Sequence, residues 1–333
     1  MDHLDINRRR LLQTIGAGAA AGAVPAAFAQ SDWPKQAVKL IVPYTPGGVT
    51  DLTMRLVSKE VAERLGQPII VENRPGAGGV VGTAAVAKAA PDGYTIGACA
   101  SSSIIATPML NAQVPFDVEA DLALVSLTAT VPMVLVVNST VPVNSGAELL
   151  KYVRANRGKL NYGSTAVGHY GHVALMEISD SQDAGMVHSP YKGEAPLVQD
   201  VVSGQLQLAF FAPSTIKPMA DAGKVRMLGV SGTRRLKMLP DLPTLVEQGF
   251  QAPVFGMNPG WVGIIAPSKT PKPVLQRLSA EYSAATLKPE VADQIADLGM
   301  SPVGSTADAF VATYQRERPV WKGLLTKAGL EVR

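Results

Sequence analysis

Short apolar runs and helical apolar stripes alternate along this chain after its N-terminal segment. The run Val38–Val42 is apolar except at Lys39, as is typical of a parallel strand covered on both faces. Apolar residues then recur three and four positions apart over 52–65, which predicts a helix, and Gly66 is a residue type that ends helices. Together with the apolar run 69–71, this pattern predicts a strand–helix–strand unit.

The same alternation continues to the end of the chain and predicts two α/β lobes with mainly parallel sheets. Roughly 300 residues also exceed what one hydrophobic core usually serves. Ligand sites in such folds lie beyond the C-terminal ends of the strands. Further strands are predicted at 94–98, 134–137, 185–188, 206–211, 225–230 and 261–266, and further helices at 83–90, 147–155, 197–202, 272–287, 289–298 and 307–328.

Residues 1–29 have the pattern of an export signal peptide. Three arginines at 8–10 precede a Gly- and Ala-rich apolar stretch, and Ala-Phe-Ala at 27–29 has the small residues of a cleavage site. The paired arginines resemble a twin-arginine signal, and the general secretory route stays open. A transmembrane anchor is disfavoured because the stretch is short and contains Pro25. We predict cleavage near Ala29 and a mature protein in the bacterial periplasm.

Charge and cysteine content narrow the range of partners. The formal net charge is +3, of which the signal peptide carries +1 (three Arg against Asp2 and Asp5), so +2 remains on the mature chain. A chain so close to neutral is not expected to bind nucleic acid. The lone thiol, Cys99, cannot form an internal disulfide. Hydrophobic residues make up 47% of the chain, which is ample for a core, yet no later run is long enough to span a bilayer.

The segment between the first strand and the first helix is the strongest indication of function. Pro-Tyr-Thr-Pro-Gly-Gly-Val-Thr-Asp at 43–51 leads a buried strand into a helix N-terminus. At such a terminus backbone N–H groups lack partners and the helix dipole is positive. The loop contains no Lys or Arg and no obvious nucleophile. It therefore suits binding an anion better than transforming one.

Each residue of this loop also has a structural interpretation. Gly47 and Gly48 either allow a ligand to approach the backbone or make a tight turn, and their place at the strand end favours the ligand. Tyr44 is either a hydrogen-bond partner of the ligand or a packing residue. Thr50 and Asp51 are most simply helix N-caps, and the carboxylate of Asp51 would repel an anion, so Asp51 receives a structural role.

Several Gly- and Pro-rich motifs lie at the predicted strand ends, at 42–51, 71–79, 90–95 and 188–193, with further ones at 158–162, 239–244 and 266–271. In their order and spacing they closely resemble the Bug-type extracytoplasmic solute receptors, the binding components of tripartite tricarboxylate transporters. The resemblance covers nearly all of the mature chain.

This resemblance implies a Venus-flytrap protein with two α/β lobes joined by crossing strands. Lobe 1 would comprise 30–130 and be completed by 253–333, and lobe 2 would comprise 131–252. The ligand, a small carboxylate, would lie in the cleft and contact mainly backbone groups and ordered waters. The expected partners are the membrane permease subunits of such a transporter, and the receptor is expected to be a monomer without cofactors.

The resemblance extends the candidate ligand contacts beyond the first loop. Ser101 and Ser102 follow a strand of lobe 1, where hydroxyls either donate to a carboxylate or cap a helix. In lobe 2, relatives have small Ser or Thr residues where this chain has His169 and Tyr170. The complete set of predicted contacts is Tyr44, Gly47, Gly48, Val49, Thr50, Ser101, Ser102, Thr165, His169, Tyr170, Tyr191 and Phe211.

Two of these candidates lie at strand ends of lobe 2. Tyr191 is the preferred contact there, and the neighbouring Lys192 adds positive potential or is simply solvated. Phe211 stands where many relatives have Asp, which hints against an amino-acid ligand and towards a plain or aromatic carboxylate.

The competing functions are another kind of receptor and an enzyme. An orphan receptor that signals to a sensor kinase would use the same pocket. An enzyme would need a nucleophile beside a base or a metal set, and no motif here places His beside Ser or Cys. His169, His172 and His188 lack the Cys or carboxylate partners typical of a metal site. We therefore expect a transport receptor, not an enzyme, with neither metal nor cofactor.

Overall fold

The computed structural model describes residues 33–111, 113–165, 167–191 and 193–330. The predicted signal peptide with its cleavage site near Ala29, and Lys192, lie outside the described residues. The strands are β1 (Val38–Val42), β2 (Ile69–Asn73), β3 (Thr95–Ala100), β4 (Leu122–Val131), β5 (Val134–Asn138), β6 (Asn161–Ser164), β7 (Val187–Pro190), β8 (Leu208–Phe211), β9 (Val225–Val230), β10 (Gly260–Pro267) and β11 (Ser301–Pro302).

The α-helices alternate with these strands through most of the chain. They are α1 (Val49–Leu65), α2 (Val80–Ala87), α3 (Thr107–Leu110), α4 (Val118–Asp121), α5 (Gly146–Ala155), α6 (Tyr170–Ser181), α7 (Glu194–Ser203), α8 (Pro213–Asp221), α9 (Pro253–Gly256), α10 (Lys272–Leu287), α11 (Pro289–Asp297) and α12 (Ala307–Lys327).

A six-stranded sheet in the order β11-β4-β10-β3-β1-β2, with its helices, forms what we call lobe 1. β1 pairs in parallel with β2 and β3, and β10 runs antiparallel to both β3 and β4. β1 to β4 therefore share one direction, and β10 runs against them, as does the short β11. The apolar pattern of β1 and α1 is explained by their contact, since Met54, Val57 and Val61 pack in the same buried cluster as β1.

A five-stranded sheet in the order β7-β6-β8-β5-β9 forms lobe 2. β6 pairs in parallel with β7 and β8, and β5 runs antiparallel to β8 and β9. Only β5 thus runs against the other strands. The predicted fold of two α/β lobes, each with most strands in one direction, is confirmed.

The chain passes between the lobes twice within the described residues. It crosses from β4 to β5 between Val131 and Val134, and it returns in the segment that joins β9 to β10. α12 then packs against β4 of lobe 1, and near its end Lys327 forms ion pairs with Glu177 (2.8 Å) and Asp180 (3.4 Å) on α6 of lobe 2.

One buried apolar cluster extends through both lobes. Phe210 of lobe 2 belongs to it, and so do Cys99 and Trp261 of lobe 1 and Trp321 of α12. Cys99 is fully buried, and its Sγ lies 3.5 Å from the carbonyl oxygen of Gly263. Within the described part of the chain, no helix is both long and apolar enough to cross a membrane.

Candidate ligand site between the lobes

A cavity of about 320 Å³ is bordered by both lobes. Lobe 1 contributes the start of α1 and the end of β3, and lobe 2 contributes the loop after β6 and the start of α6. The crossing segments also line the cavity, through Val131, Met133, Pro259 and Gly260. A molecule in this cavity would contact both lobes and the segments that join them.

The N-terminus of α1 meets the cavity at Val49 and Thr50. The helix is capped by Gly48, which has no side chain to accept the first N–H groups. Gly47 has a φ of 82°, a conformation that favours glycine, and so it makes the turn from the strand possible. The first-turn N–H groups therefore depend on a ligand or water for their partners.

Asp51 holds this loop in place from within the first turn of α1. It is 1% exposed, and its carboxylate accepts hydrogen bonds from the Gly47 N–H (2.9 Å), Arg55 (3.0 Å) and Asn73 (2.8 Å). Burial raises the pKa of Asp51, but the bonds from Arg55, Gly47 and Asn73 outweigh it and leave the pKa lowered. The expectation that Thr50 and Asp51 are N-caps is wrong, because Gly48 is the cap. The structural role of Asp51 is instead to bind the loop that precedes the cap.

Ser101 and Ser102 reach the cavity from the end of β3, where the chain forms a π-helical turn over Ser102–Ala106. Such wide turns often occur at functional sites. The Ser102 hydroxyl lies 3.2 Å from the hydroxyl of Tyr44, and burial raises the pKa of Tyr44. Tyr44 thus supports Ser102 and does not itself line the cavity.

The N-terminus of α6 meets the cavity from lobe 2. His169 is the N-cap, with no side-chain bond to the helix, and Tyr170 and Gly171 follow it along the cavity wall. The His169 Nδ1 lies 3.2 Å from the Thr165 hydroxyl, and burial lowers the pKa of His169, which favours its neutral form. Two helix N-termini without side-chain caps therefore border the same cavity, one from each lobe.

Two stacked imidazoles support the lobe 2 side of the cavity. The rings of His172 and His188 lie 4.0 Å apart. His172 Nδ1 accepts from the Gly168 N–H at 3.0 Å, and His188 Nε2 lies 2.8 Å from the Ser164 hydroxyl. Burial, together with His172, lowers the pKa of His188 to about 4. His172 and His188 are therefore neutral imidazoles, and they hold in place two residues that line the cavity, Gly168 and Ser164.

Aromatic side chains form much of the remaining wall. Tyr170 is buried; its hydroxyl donates to the carbonyl of Val254 at 3.1 Å, and its ring meets Phe210 edge-on at 5.2 Å. The Trp261 indole donates to Glu317 at 2.8 Å, and burial raises the pKa of Glu317 although this bond opposes the shift. None of the described residues that line the cavity is Lys, Arg, Asp or Glu. Among the described residues, no group of three or more His, Cys, Asp and Glu could hold a metal.

The sequence matches the family model described as "Tripartite tricarboxylate transporter family receptor" over residues 53–330. The chain belongs to this family. The resemblance inferred from the motifs is confirmed, and family membership also confirms the prediction of a receptor, not an enzyme.

Curated and solved relatives of this receptor agree with that assignment. BugT of Bordetella pertussis is 31% identical over 330 residues, which is 98% of this chain and 100% of BugT. A Rhodopseudomonas palustris protein solved with adipate is 29% identical with a TM-score of 0.73, over 90% of this chain and 99% of that one. MatC from the same organism, solved with bound malate, is 28% identical with a TM-score of 0.68, over 88% of this chain and 100% of MatC.

Most of the receptor's predicted contacts come together in the cavity. Gly47 and Gly48 lie directly before its α1 wall, and Tyr44 lies behind Ser102. The predicted contacts that line it are Val49, Thr50, Ser101, Ser102, Thr165, His169 and Tyr170.

Tyr191 and Phe211 do not line this cavity. The Tyr191 hydroxyl donates to the carboxylate of Asp200, and Phe211 is fully buried in a separate lobe 2 cluster. Because side chains alternate across a strand, the cavity receives Phe210 and the opposite face of β8 receives Phe211. The interpretation of Phe211 as a selectivity residue at the cavity is therefore corrected.

The sequence-based prediction also missed part of the receptor's cavity wall. Met133, Gly260, Trp261 and Trp321 line it but belong to segments that come from distant parts of the chain. No local pattern marks them, although the two tryptophans are among only three in the sequence. The rarity of tryptophan in this sequence was the one available indication that these two residues belong to the site.

Proposed function

We propose that this receptor binds a small organic carboxylate in the cavity between its lobes and delivers it to the permease subunits of a tripartite transporter. The observation that carries the proposal is the meeting of two helix N-termini without side-chain caps, those of α1 and α6, at one cavity that no charged side chain among the described residues lines. Two of the solved relatives were determined with adipate and with malate, which are both carboxylates.

The two helix N-termini supply what a carboxylate needs. Each leaves first-turn N–H groups without partners inside the helix and adds the positive end of a helix dipole. Hydroxyls of Ser101, Ser102 and Thr165 add further donors at the same cavity. Backbone, hydroxyl and water contacts thus replace the ion pair that a Lys or Arg would form.

Binding of this kind favours closure. A ligand that contacts α1 of lobe 1 and α6 of lobe 2 binds the closed arrangement better than an open one, and so it shifts the population towards closure. A closed, loaded receptor differs in shape from an empty one, which gives permease subunits a basis for recognising the loaded form.

The proposal includes the cellular location of the receptor and the boundaries of its two lobes. The receptor acts in the periplasm as a monomer, after cleavage of the signal peptide near Ala29. Lobe 1 spans 30–130 and 253–333, and lobe 2 spans 131–252. The membership of β1 to β4, β10 and β11 in one sheet, and of β5 to β9 in the other, supports these limits.

Thermal unfolding with a panel of acids tests the binding step. Adipate, malate, citrate and benzoate are compared at equal ionic strength with sodium chloride and with an uncharged sugar. A carboxylate at a hundred times its Kd stabilises the fold by about 2.7 kcal/mol and raises the melting temperature by several degrees. Small-angle scattering of the same sample should show a smaller radius of gyration. If none of the acids raises the melting temperature and the uncharged sugar does, the proposal is overturned.

A further inference from the structure

Three carboxylates are buried among the described residues, and they differ in whether a cation lies beside them. Asp51 forms an ion pair with Arg55 at 3.0 Å, and Glu281 forms one with Arg64 at 2.6 Å. Glu317, on α12, is 4% exposed and forms an ion pair with none of the described residues. A buried charge without a partner is costly, so Glu317 requires an explanation that the other two do not.

Glu317 lies directly behind the wall of the cavity between the lobes. Its Oε2 accepts a hydrogen bond from the indole nitrogen of Trp261 at 2.8 Å, and Trp261 lines the cavity. Trp321, one helical turn further along α12, lines the cavity as well. The carboxylate is therefore separated from the cavity by the aromatic side chains of the wall itself.

The surroundings of Glu317 supply little to stabilise its negative charge. The elements packed on this part of α12 are β4, β10 and the π-helical turn, and none of them contains Asp, Glu, Lys, Arg or His. On α12 itself, Arg318 is paired with Glu119 at 3.5 Å, and burial raises the pKa of Tyr314 to about 12, so its phenol is neutral. Burial raises the pKa of Glu317, which the bond from Trp261 and the charge of Arg316 only partly offset.

A carboxylate ligand would place a second negative charge near this one. Two like charges interact more strongly through the protein interior than through water, and the interaction favours the protonated form of a nearby acid. No Lys or Arg among the described residues lines the cavity to compensate for both charges. Protonation of Glu317 removes the repulsion and also the cost of its burial.

We propose that Glu317 takes up a proton from the solvent when a carboxylate occupies the cavity, so that the affinity for the ligand rises as the pH falls. The inference rests on the proposed function, since it requires an anionic ligand. The proton adds to one carboxylate oxygen of Glu317, and the other still accepts from Trp261. A shift of half to one pKa unit on binding corresponds to an affinity change of about three- to tenfold, and to an uptake of at most about 0.3 to 0.5 proton per ligand.

Titration calorimetry tests this coupling with malate, adipate and benzoate. Each acid is titrated between about pH 5.5 and pH 8, in pairs of buffers that differ in their heat of ionisation. The difference between the two measured heats gives the number of protons taken up with the ligand. The wild type should take up protons on binding, and its affinity should fall as the pH rises.

Glu317→Gln removes the titrating group and keeps an oxygen that accepts from Trp261. The variant should lose the share of proton uptake that belongs to Glu317, and near pH 8 it should bind about three- to tenfold more tightly than the wild type. A residue that only supports the wall would give a loss of affinity instead. Glu281→Gln, at a buried carboxylate that does not line the cavity and pairs with Arg64 and Arg277, is the matched control and should behave as the wild type.

His169 lines the cavity and is a second group that could take up a proton near the ligand. His169→Gln takes this group out of the count, and the uptake that remains should disappear in His169→Gln/Glu317→Gln. The acids' own ionisation is the same for every variant and cancels in the comparison.

The outcomes separate this inference from the proposed function. If none of the three acids binds the wild type, both are overturned. If an acid binds the wild type without proton uptake, or Glu317→Gln keeps the wild-type uptake, only the role of Glu317 is overturned.

Infrared difference spectroscopy covers the case in which Glu317→Gln fails to fold. Binding of malate or benzoate to the wild type and to His169→Gln should produce the carbonyl stretch of a protonated carboxyl group, which an imidazole cannot give. Absence of this band over the whole pH range would contradict the inference.

Discussion

Two adjacent glycines in the loop before α1 are under different constraints. Gly47 has a φ of 82°, so any other residue there would strain the backbone. Gly48 has a φ of −73° and a ψ of 162°, which every residue adopts, and an added Cβ would meet only the Thr45 carbonyl at 3.6 Å. The fold requires glycine at the first position and tolerates a side chain at the second.

Gly48→Val should therefore keep the fold and weaken ligand binding. A valine at the N-cap crowds the first-turn N–H groups of α1, and loss of one hydrogen bond to a carboxylate lowers affinity by about tenfold or more. Calorimetry measures the affinity, and thermal unfolding measures the fold. Gly193→Val, at the N-cap of α7 where an added Cβ meets nothing, is the matched control. If Gly48→Val binds the ligand with unchanged affinity, the N-terminus of α1 is not part of the ligand site.

His169 and Tyr170 are neighbours with different roles. Tyr170→Thr removes a buried ring with its bond to Val254 and its contact with Phe210, so it should lower the free energy of unfolding by about 3–5 kcal/mol. His169→Ser should cost less than about 1 kcal/mol, because serine is itself a good N-cap, and should change which acid binds. Urea unfolding and the acid panel measure the two effects. Equal stability losses in both variants would contradict this division.

At the scale of elements, the imidazole pair between β7 and α6 makes lobe 2 sensitive to acid. The pKa of His188 is about 4 in the folded state, against 6.5 ordinarily, so between these values the unfolded chain binds more protons. The free energy of unfolding should therefore fall as the pH drops from 7 towards 4, and His188, which is only partly buried and so partly screened by solvent, should contribute about 1–2 kcal/mol of that fall. Urea unfolding across this pH range measures the slope.

His188→Gln isolates this contribution, because glutamine does not titrate and can still bond to Ser164. The variant should show a shallower decline, to which His169 and His172, whose pKa values burial also lowers, still contribute. His169→Gln should keep most of the wild-type slope. If the free energy of unfolding of His188→Gln falls with pH as steeply as that of the wild type, the imidazole pair is not the source of the pH dependence.

The sequence predicted elements well where one periodicity dominates. The structure has β1 at Val38–Val42, as predicted, and α1 ends at Leu65 before Gly66. β4 was missed, because Ser126, Thr128 and Thr130 interrupt its apolar pattern although all three are buried. The Ser126 hydroxyl donates to the carbonyl of Ser305 at 2.8 Å, a partner from the distant C-terminal region. A hydrogen bond between a buried polar side chain and a distant part of the chain leaves no local pattern in the sequence.

For the site, the sequence predicted the parts that are local and missed those that are not. The loop 43–51 leads into an exposed helix N-terminus, so Val49 and Thr50 were predictable from strand-end chemistry. On β8, the choice between Phe210 and Phe211 depends on register, and a shift by one residue changes the face. Trp321 reaches the cavity only because α12 returns to the lobe boundary, which is a property of the whole chain.

At the scale of the whole molecule, α12 connects the lobes in addition to the two crossing segments. Its packing on lobe 1 and the ion pairs of Lys327 with Glu177 and Asp180 on α6 hold the lobes together. Lys327 is 43% exposed, so these pairs contribute little to the overall free energy of unfolding. We expect their effect to fall instead on the balance between closed and open arrangements of the lobes.

Lys327→Ala should change the free energy of unfolding by less than about 1 kcal/mol but increase the radius of gyration of the unliganded receptor. Small-angle scattering and urea unfolding measure the two quantities. Lys217→Ala, which breaks an exposed ion pair with Asp221 inside α8 only, is the control and should leave the radius unchanged. Indistinguishable scattering from both variants would show that the Lys327 pairs do not hold the lobes.

Cys99 is the chain's single cysteine, and it is fully buried with a pKa raised by that burial. The thiolate is the reactive form, so thiol-directed dyes should not label the folded protein. A cysteine introduced at exposed Val167, beside the cavity-lining Gly168, would then be the sole labelling position without removal of Cys99. The receptor can thus be converted by one substitution into a fluorescent reporter for its own ligand.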